Sequence, residues 1–538
     1  MFKKIFTTII AVLLVVALAC GMVACDNGSS KKDKEKSVEP SEEAFKDAYS
    51  EVVDTFLAEV DDYYALAGKY NLQDLGMSTS VSVTLSNDLN NMLRSLSGYD
   101  FSWVSNLKFT SSQDFKGNTM ATSSLVSYNG KNLLSTKVIF DLASEAVYLG
   151  IPEMNSMYFK QYFGDIEGMN EITSILSILT SIDFTEVLPD KAAVKGLIDD
   201  IASAIINSID DVDFDETKIT ANGVDQECVA YVVEINTGDL IDIAINVLNK
   251  LQNNKNLEKI IRGSFGTVMK LAGQLGLPMD GSVSADQVIS MLNDGINQAI
   301  TLVNQNTASI PNMVLGEWTS YITDKLEIIG MELDLDLSAF MPSSAASMSN
   351  ATVFFANATD GSDIGSELYV EVSGQKYVDI KGDLTKSKNA ISGSYDIKVM
   401  GTSYAIIELE NVDTSSGYLT GAITVSPSSY LINMINNEIG GDLAEVGLSL
   451  SNPAIKFDVK KNDGEKFNIV LSVINNGSDF ASLNIEGSIG KAQSITIPSN
   501  STTDMDSWSL VFSTDKLANI AEQGGLPGFI VDLIRNAD

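Results

Sequence analysis

Short segments in which apolar and polar residues alternate recur along much of the chain, and they constrain its fold more than any other feature. In Met331-Glu-Leu-Asp-Leu-Asp-Leu337 the leucines fall on one side of an extended strand and the carboxylates on the other. Similar segments, separated by Gly, Asn and Asp, begin at Leu368, Tyr395, Ala405, Tyr418, Ile455, Phe467 and Ser482. This pattern is typical of a long meander of half-buried antiparallel strands.

The N-terminal part of the chain predicts strands as well. Val81, Val83 and Leu85 alternate with polar residues, and Tyr128-Asn-Gly-Lys131 contains the Asn-Gly pair that favours a tight hairpin turn. Further strands are predicted over residues 218–221 and 228–235.

Helical periodicity interrupts the strands at several places. A helix is predicted from Ser41, where Ser-Glu-Glu supplies a cap and acids for the first turn, to a stop at Gly68. Other helices are predicted over residues 172–182, 194–205 and 430–439, in a block over residues 239–306 with stops near Gly263, Gly276 and Gly281, and over residues 514–535 with a break at Gly524-Gly-Leu-Pro527.

Together these patterns predict an α+β fold in which a curved antiparallel sheet packs over helices, in two strand-rich halves. A chain of 538 residues is long for a single core. The predicted organisation is a signal segment over residues 1–24, a polar tether over 25–43, an N-terminal α+β domain over 44–325 and a β-rich domain over 326–538.

The first residues have the pattern of an export signal. A basic end with Lys3 and Lys4 precedes an apolar run from Ile5 to Ala19, and small residues lead to a cysteine at position 25. Ala24-Cys25 followed by a polar stretch resembles the lipobox of bacterial lipoproteins, and this resemblance implies that Cys25 carries a lipid. Cys20 is the alternative site, although apolar residues follow it, and neither site has the usual Leu, Val or Ile three residues earlier, since Met22 and Ala17 stand there. A retained membrane helix is the other interpretation.

Strand sequences extend the resemblance. Ser-Leu-Val-Ser-Tyr-Asn-Gly-Lys, Ala-Val-Tyr-Leu-Gly-Ile-Pro-Glu-Met and Gly223-Val-Asp-Gln-Glu-Cys-Val-Ala-Tyr-Val-Val resemble segments of large uncharacterised lipoproteins of clostridial, low-GC Gram-positive bacteria. At the level of the fold, the predicted sheet over helices resembles the LolA-like half-barrel of lipoprotein carriers. The resemblance implies a location on the outer face of the cell membrane, held by lipid, and a hydrophobic ligand between sheet and helices.

Charge and residue usage exclude several function classes. The formal net charge of −36 repels nucleic acid, so no nucleic-acid partner is expected. The chain has no histidine, which eliminates histidine triads and histidine-ligated zinc. If Cys20 is removed and Cys25 is lipidated, Cys228 stands alone and is predicted to be a buried structural thiol.

The remaining chemical motifs are weak. Asp211-Val-Asp-Phe-Asp215 has alternate acids but lacks the glycine and distal glutamate of a calcium loop. Glu332, Asp334 and Asp336 could form a glycosidase pair but fall on one strand face. Two Ser-x-x-Lys matches, Ser488 to Lys491 and Ser513 to Lys516, lack their companion motifs, and Trp103, Trp318 and Trp508 are dispersed. We therefore predict no catalytic residue, no metal and no cofactor.

Three functions remain open from sequence. The preferred one is a non-enzymatic, membrane-anchored extracellular lipoprotein that binds or carries a hydrophobic ligand, which predicts an apolar cavity. A structural or adhesive surface protein is the alternative, and it predicts an exposed apolar patch instead. A carboxylate hydrolase would require acids with opposed environments in a cleft.

Overall fold

The computed structural model describes residues 37–69, 74–166, 187–274, 283–307, 311–336, 338, 350–445 and 452–537. The predicted signal segment, Cys20, Cys25 and the tether up to residue 36 lie outside these residues, and so do the predicted helix over residues 172–182 and the stops at Gly276 and Gly281.

The chain forms two compact units whose segments interleave along the sequence. Unit 1 comprises Met1–Leu66, Leu188–Val268 and Asp280–Gly417, and unit 2 comprises Ala67–Val187, Met269–Met279 and Tyr418–Asp538. This division differs from the domain boundary expected after residue 325, which falls in the turn between two paired strands of unit 1. The expectation assumed continuous domains, whereas strands pair across long sequence separations here.

Unit 1 combines nine strands with helices in the described residues. The strands are β7 (Val212–Ala221), β8 (Val224–Asn236), β9 (Val314–Ile322), β10 (Ile328–Asp336), β11 (Asn350–Asp360), β12 (Asp363–Val372), β13 (Gln375–Ser387), β14 (Ala390–Val399) and β15 (Thr402–Asp413). The helices are α1 (Glu42–Lys69), α3 (Lys191–Ile206), α4 (Thr237–Leu251), α5 (Lys255–Gln274) and α6 (Ala285–Thr307); the last residues of α1 and of α5 belong to unit 2.

The strands of unit 1 pair in chain order from β7 to β15, each antiparallel to the next. The sheet is curved, and the curvature is seen where the turn of the β7–β8 hairpin packs across β12 and β13. There the side-chain amide Nδ2 of Asn222 donates to the Gly382 carbonyl at 3.0 Å, and a Cβ added to Gly365 would collide with the Ala221 carbonyl.

Helix α1 covers one part of this sheet, over β8, β9 and β10. Its first turn is capped as predicted, since the Ser41 hydroxyl accepts a hydrogen bond from the Ala44 amide at 3.1 Å. Phe45, fully buried, lies with its ring centroid 4.9 Å from Tyr49, 5.8 Å from Tyr231 and 6.1 Å from Trp318. These side chains form the largest apolar core of unit 1, which the regular apolar stripe of α1 makes possible.

Unit 2 is also a sheet with helices. Its strands are β1 (Asp74–Leu85), β2 (Leu107–Lys116), β3 (Thr119–Tyr128), β4 (Lys131–Asp141), β5 (Ala146–Ile151), β6 (Asn155–Tyr162), β16 (Thr420–Pro427), β17 (Ala454–Asn462), β18 (Lys466–Asn475), β19 (Ser478–Gly490) and β20 (Ser501–Thr502). Its helices are α2 (Asn87–Ser97), α7 (Ser429–Glu445), α8 (Met505–Ser509), α9 (Thr514–Gly524) and α10 (Gly528–Arg535).

The strand order in unit 2 is β16-β17-β18-β19-β1-β2-β3-β4-β5-β6-β20, antiparallel except for the β6–β20 pair. The predicted hairpin joins β3 to β4, with Asn129 and Gly130 both at positive φ, as a type I′ turn requires. The closing helix is broken where expected, between α9 and α10.

The predicted α+β class with antiparallel sheets is confirmed. One predicted helix stop is wrong, because α5 continues through Gly263. Among the described residues nothing crowds the position that a Cβ would take at Gly263, so packing does not require a glycine there. No helix in the described residues is both long and apolar enough to cross a membrane.

Candidate functional site

One face of the unit 2 sheet is apolar, and rows of aligned residues define it. In an antiparallel sheet, residues that lie directly opposite each other point to the same side. The first row is Val425, Ile455 and Val473; the second is Ile423, Phe457, Leu471, Leu483 and Val83; the third is Val459, Ile469, Ile485, Val81, Phe109 and Val126. We call these three rows the apolar face of unit 2.

Several side chains of the apolar face are open to solvent. The exposed fractions are 43% for Val425, 56% for Ile455 and 47% for Val473, the three members of the first row. Leu471 in the second row and Phe109 in the third are 40% and 46% exposed. A contiguous exposed apolar patch is a candidate binding surface, so the apolar face is the candidate functional site of unit 2.

The apolar face carries no charged residue, although the chain has 35 basic and 71 acidic ones. The charged residues of the same strands lie on the opposite side. There Lys108 and Glu486 form an ion pair at 2.9 Å, and Ser80 and Thr110 share a hydrogen bond of 3.0 Å. The alternation of the strands therefore keeps charged side chains away from the apolar face.

A row of hydroxyl groups borders the apolar face. Thr79, Ser111, Ser124 and Thr136 lie opposite one another across β1, β2, β3 and β4, on the same side as the third apolar row and two residues further along each strand. Next to Thr79 the row ends at Gly487, over which the ring of Phe467 lies so closely that a Cβ would collide with it. We call these four residues the hydroxyl row.

Toward β6 the same side of the sheet is covered. Trp508 of α8, only 3% exposed, packs on Phe159 with ring centroids 5.7 Å apart, and its indole N–H donates to the Met157 carbonyl at 2.7 Å. The first two rows of the apolar face, on β16 to β18, have exposed members instead.

The sequence-predicted site residues do not form a chemical site. Cys25 lies outside the described residues. Cys228 is buried, as predicted, and burial raises the pKa of its thiol to about 11, which disfavours the reactive thiolate. Asp211, Asp213 and Asp215 are exposed around the start of β7, and within the described ranges no three Cys, Asp or Glu side chains converge to hold a metal ion.

The three acids of β10 are held separately. Glu332 is half-buried and accepts a hydrogen bond of 3.0 Å from the Tyr321 hydroxyl; burial, with Asp334 nearby, raises the pKa of its carboxyl. Asp334 accepts from the Thr352 hydroxyl, and the Ser338 amide, at 2.8 Å from Asp336, lowers the pKa of Asp336. Each has its own partner, so the three do not oppose one another across a cleft.

The other motifs have structural partners. The Ser513 hydroxyl caps α9 by accepting from the Lys516 amide at 3.1 Å, and the Lys516 ammonium donates to the Met154 carbonyl. Trp318 belongs to the core under α1, and Trp508 packs on β6. Trp103 lies near Phe529, with ring centroids 6.5 Å apart. The two tryptophans of unit 2, Trp103 and Trp508, therefore pack near different rings, those of Phe529 and Phe159.

The apolar face and the hydroxyl row are sites that the sequence did not predict. The signal was present, since Thr79, Val81, Val83 and Leu85 alternate with polar residues along β1. What could not be read is the pairing of β1 with β19, which aligns residues some four hundred positions apart, such as Val83 and Leu483.

The chain matches no protein-family model and no curated protein. Among solved structures it is similar to a mutant of the vaccine antigen Transferrin Binding Protein B (TbpB) from Haemophilus parasuis Hp5, with 7% sequence identity over 78% of this chain and 76% of that chain and a TM-score of 0.10. A TM-score this low carries no argument about the fold or function of this chain.

Proposed function

We propose that the protein is a membrane-anchored extracellular lipoprotein, non-enzymatic, that binds a hydrophobic ligand on the apolar face of unit 2. The observation that carries the proposal is the first row, in which Val425, Ile455 and Val473 are aligned, uncharged and about half exposed. An acyl chain lying on these rows would remove apolar surface from water. Each Å² so buried would contribute roughly 25 cal/mol to the free energy of binding.

The composition of the face favours an acyl chain over a protein partner. The exposed members are mainly Val, Ile and Leu, whereas the energetic centres of protein interfaces are enriched in Trp, Tyr and Arg. None of the three arginines of the chain, Arg94, Arg262 and Arg535, lies in the rows. Aliphatic side chains without hydrogen-bonding groups match a hydrocarbon chain.

The proposed location, outside the cell and anchored to the membrane by lipid, rests on the N-terminal sequence. An apolar run followed by Ala24-Cys25 and a polar stretch supports export and lipidation at Cys25, with Cys20 as the alternative. Mass spectrometry of the intact protein from its own membrane tests this: we expect a mature chain that begins with a lipid-modified Cys25. An unmodified chain that retains residues 1–24 would contradict it.

Ligand binding is tested with a pyrene-labelled alkane and matched variants of the apolar face. Ile455→Asn and Val473→Asn each place a polar group in the first row, and we expect affinity for the alkane to fall about tenfold in the double variant, which corresponds to ~1.4 kcal/mol. Thr84→Asn is the control, because Thr84 is exposed on the opposite side of β1. Equal affinity in all proteins would overturn the proposal.

An adhesive surface protein is the second candidate. The sequence predicted an enclosed apolar cavity for a lipid carrier and an exposed apolar patch for an adhesive protein, and the apolar face is exposed. The adhesive candidate predicts that no lipid co-purifies with the protein and that the alkane does not bind. It further predicts that the same two substitutions abolish adhesion of cells displaying the protein.

A further inference from the structure

The hydroxyl row is distinguished by its position, because it places hydroxyl groups directly beside the apolar face. Thr79, Ser111, Ser124 and Thr136 are half-buried, and none of their hydroxyls hydrogen-bonds another residue of the described chain. On the opposite side of β1 and β2, the neighbouring hydroxyls of Ser80 and Thr110 bond each other at 3.0 Å. Aligned hydroxyls in this sheet therefore pair at some positions and not at others, since Ser78, Ser112 and Ser123 on that opposite side are also aligned without a hydroxyl hydrogen bond in the described chain.

Unpaired hydroxyls beside an apolar surface carry a cost if a ligand covers them without hydrogen-bonding them. Withdrawing a hydroxyl from water without a new partner costs ~1–3 kcal/mol. A purely apolar ligand that extended over the hydroxyl row would leave up to four groups unsatisfied. A ligand with its own acceptors and donors at that place would satisfy them.

The spacing along β1 fits a ligand with a polar end and an apolar chain. Thr79, Val81, Val83 and Leu85 follow one another on the same side of the strand, so a hydroxyl is succeeded by three aliphatic side chains. At ~3.3 Å per residue these positions span about 20 Å. The antiparallel neighbour β19 places one residue directly opposite each of them, in the order Gly487, Ile485, Leu483 and Ala481.

We infer that the ligand is a neutral amphiphile, whose uncharged hydroxyl- or ester-bearing group lies on the hydroxyl row while its acyl chain lies on the apolar face. This inference rests on the proposed function and adds the chemical class of the ligand. Hydroxyls can both donate to ester oxygens and accept from alcohol groups, so they suit an acylglycerol or a neutral glycolipid.

Charge excludes the anionic lipids from the same position. The apolar face and the hydroxyl row contain no Lys or Arg that could neutralise a phosphate or carboxylate, and the chain as a whole carries a net charge of −36. An anionic group at the hydroxyl row would have to lose part of its hydration without gaining a cation.

The test compares three pyrene-labelled probes with the same chain: the alkane, a monoacylglycerol and the fatty-acid anion. We expect the monoacylglycerol to bind at least tenfold more tightly than the anion. Thr79→Val and Ser111→Ala remove two hydroxyls with little change in shape, and together they should weaken monoacylglycerol binding at least fivefold, corresponding to about 1 kcal/mol. Their affinity for the alkane should stay equal or rise.

Thr84→Val is the control, since it removes a hydroxyl from β1 on the opposite side. Tighter binding of the anion, or unchanged monoacylglycerol binding in the double variant, would overturn the inference while leaving alkane binding, and thus the proposed function, intact. Failure of the proposed function is a different result: the alkane itself does not bind, and Ile455→Asn with Val473→Asn changes nothing.

Discussion

Two sheet regions with the same sequence pattern differ in what covers them. In unit 1 the apolar side of β8 to β10 lies under α1, and Tyr231 and Met331 are almost fully buried. In unit 2 the apolar side of β16 to β18 leaves Ile455 and Val473 about half exposed. Alternation specifies an amphipathic sheet in both regions, but it does not decide whether a helix of the chain or another molecule covers the apolar side.

Apolar residues in the two regions are expected to serve different purposes, stability in the covered region and ligand binding in the open one. Apolar residues in the covered region contribute to the free energy of unfolding, since their removal leaves cavities. Apolar residues in the open region remain in contact with water, so they contribute little to stability and are available to a ligand. Substitutions matched in type but placed in the two regions should therefore have opposite consequences.

The largest effect is expected from the helix that covers the sheet of unit 1. Phe45→Ala removes a fully buried ring from contacts with Tyr49, Tyr231 and Trp318 and should destabilise unit 1 by ~3–5 kcal/mol. Urea denaturation monitored by tryptophan fluorescence measures it. Phe56→Ala on the same helix is the control, since Phe56 is 44% exposed and its loss should cost less than ~1 kcal/mol. Similar losses in both variants would show that α1 is not the cover.

An isoleucine pair tests the comparison directly. Ile322 in β9 is 1% exposed and Ile455 in β17 is 56% exposed, so the same type of side chain is buried in one strand and open to solvent in the other. We expect Ile322→Ala to destabilise by ~2–4 kcal/mol and Ile455→Ala by under ~1 kcal/mol, by urea denaturation. A large loss for Ile455→Ala would mean that the first row belongs to a core and would break the distinction.

A polar contact beneath α1 should have an intermediate effect. The Tyr49 hydroxyl lies 2.7 Å from the hydroxyl of Ser320, which is completely buried. Tyr49→Phe removes this contact from a buried site, at an expected cost of ~1–2 kcal/mol. The double variant Tyr49→Phe with Ser320→Ala should recover part of the loss in a double-mutant cycle, and strictly additive losses would argue against a direct bond.

The smallest effect concerns the pH dependence of unit 1. Burial raises the pKa of Glu332 in the folded protein, so folding favours the protonated carboxyl; this stabilisation is complete below the unfolded pKa of ~4.3 and is lost as pH rises through the folded pKa. Glu332→Gln is neutral at every pH and keeps an acceptor for Tyr321. Its stability advantage over the wild type should be present at pH 7 and shrink toward pH 4.

Thermal denaturation at the two pH values measures this difference. Asp213→Asn, which changes an exposed carboxyl on β7, is the control. An advantage of Glu332→Gln that is independent of pH would show that the substitution acts through packing rather than through charge.

Local features of the fold could be predicted from the sequence because their causes are local. Each of three such features depends on residues only a few positions apart: the Ser41 cap, the Asn129-Gly130 turn and the break between α9 and α10. The continuation of α5 through Gly263 was missed because a glycine costs only ~1 kcal/mol within a helix, which packing can outweigh.

The candidate site could be predicted only in part. Alternation along β1 shows that Val81 and Val83 share a side, but the neighbours of that strand are set by pairing between distant segments. The hydroxyl row depends on the register of four strands at once, so Thr79 and Thr136 have no visible relation in the sequence. Exposure depends further on which helices lie over the sheet, which no local pattern encodes.

The pairing of β1 with β19 also determines when the protein can finish folding. As the chain is made from its N-terminus, β1 is among the first strands to appear, whereas β19 appears only after the last segment of unit 1 is complete. Until then, one edge of β1 has unpaired backbone groups next to aliphatic side chains, a combination that invites pairing with other chains. Among the described strands, those of unit 2 therefore appear first and are completed last, and any factor that delays the C-terminal segments prolongs the interval in which this edge is unprotected.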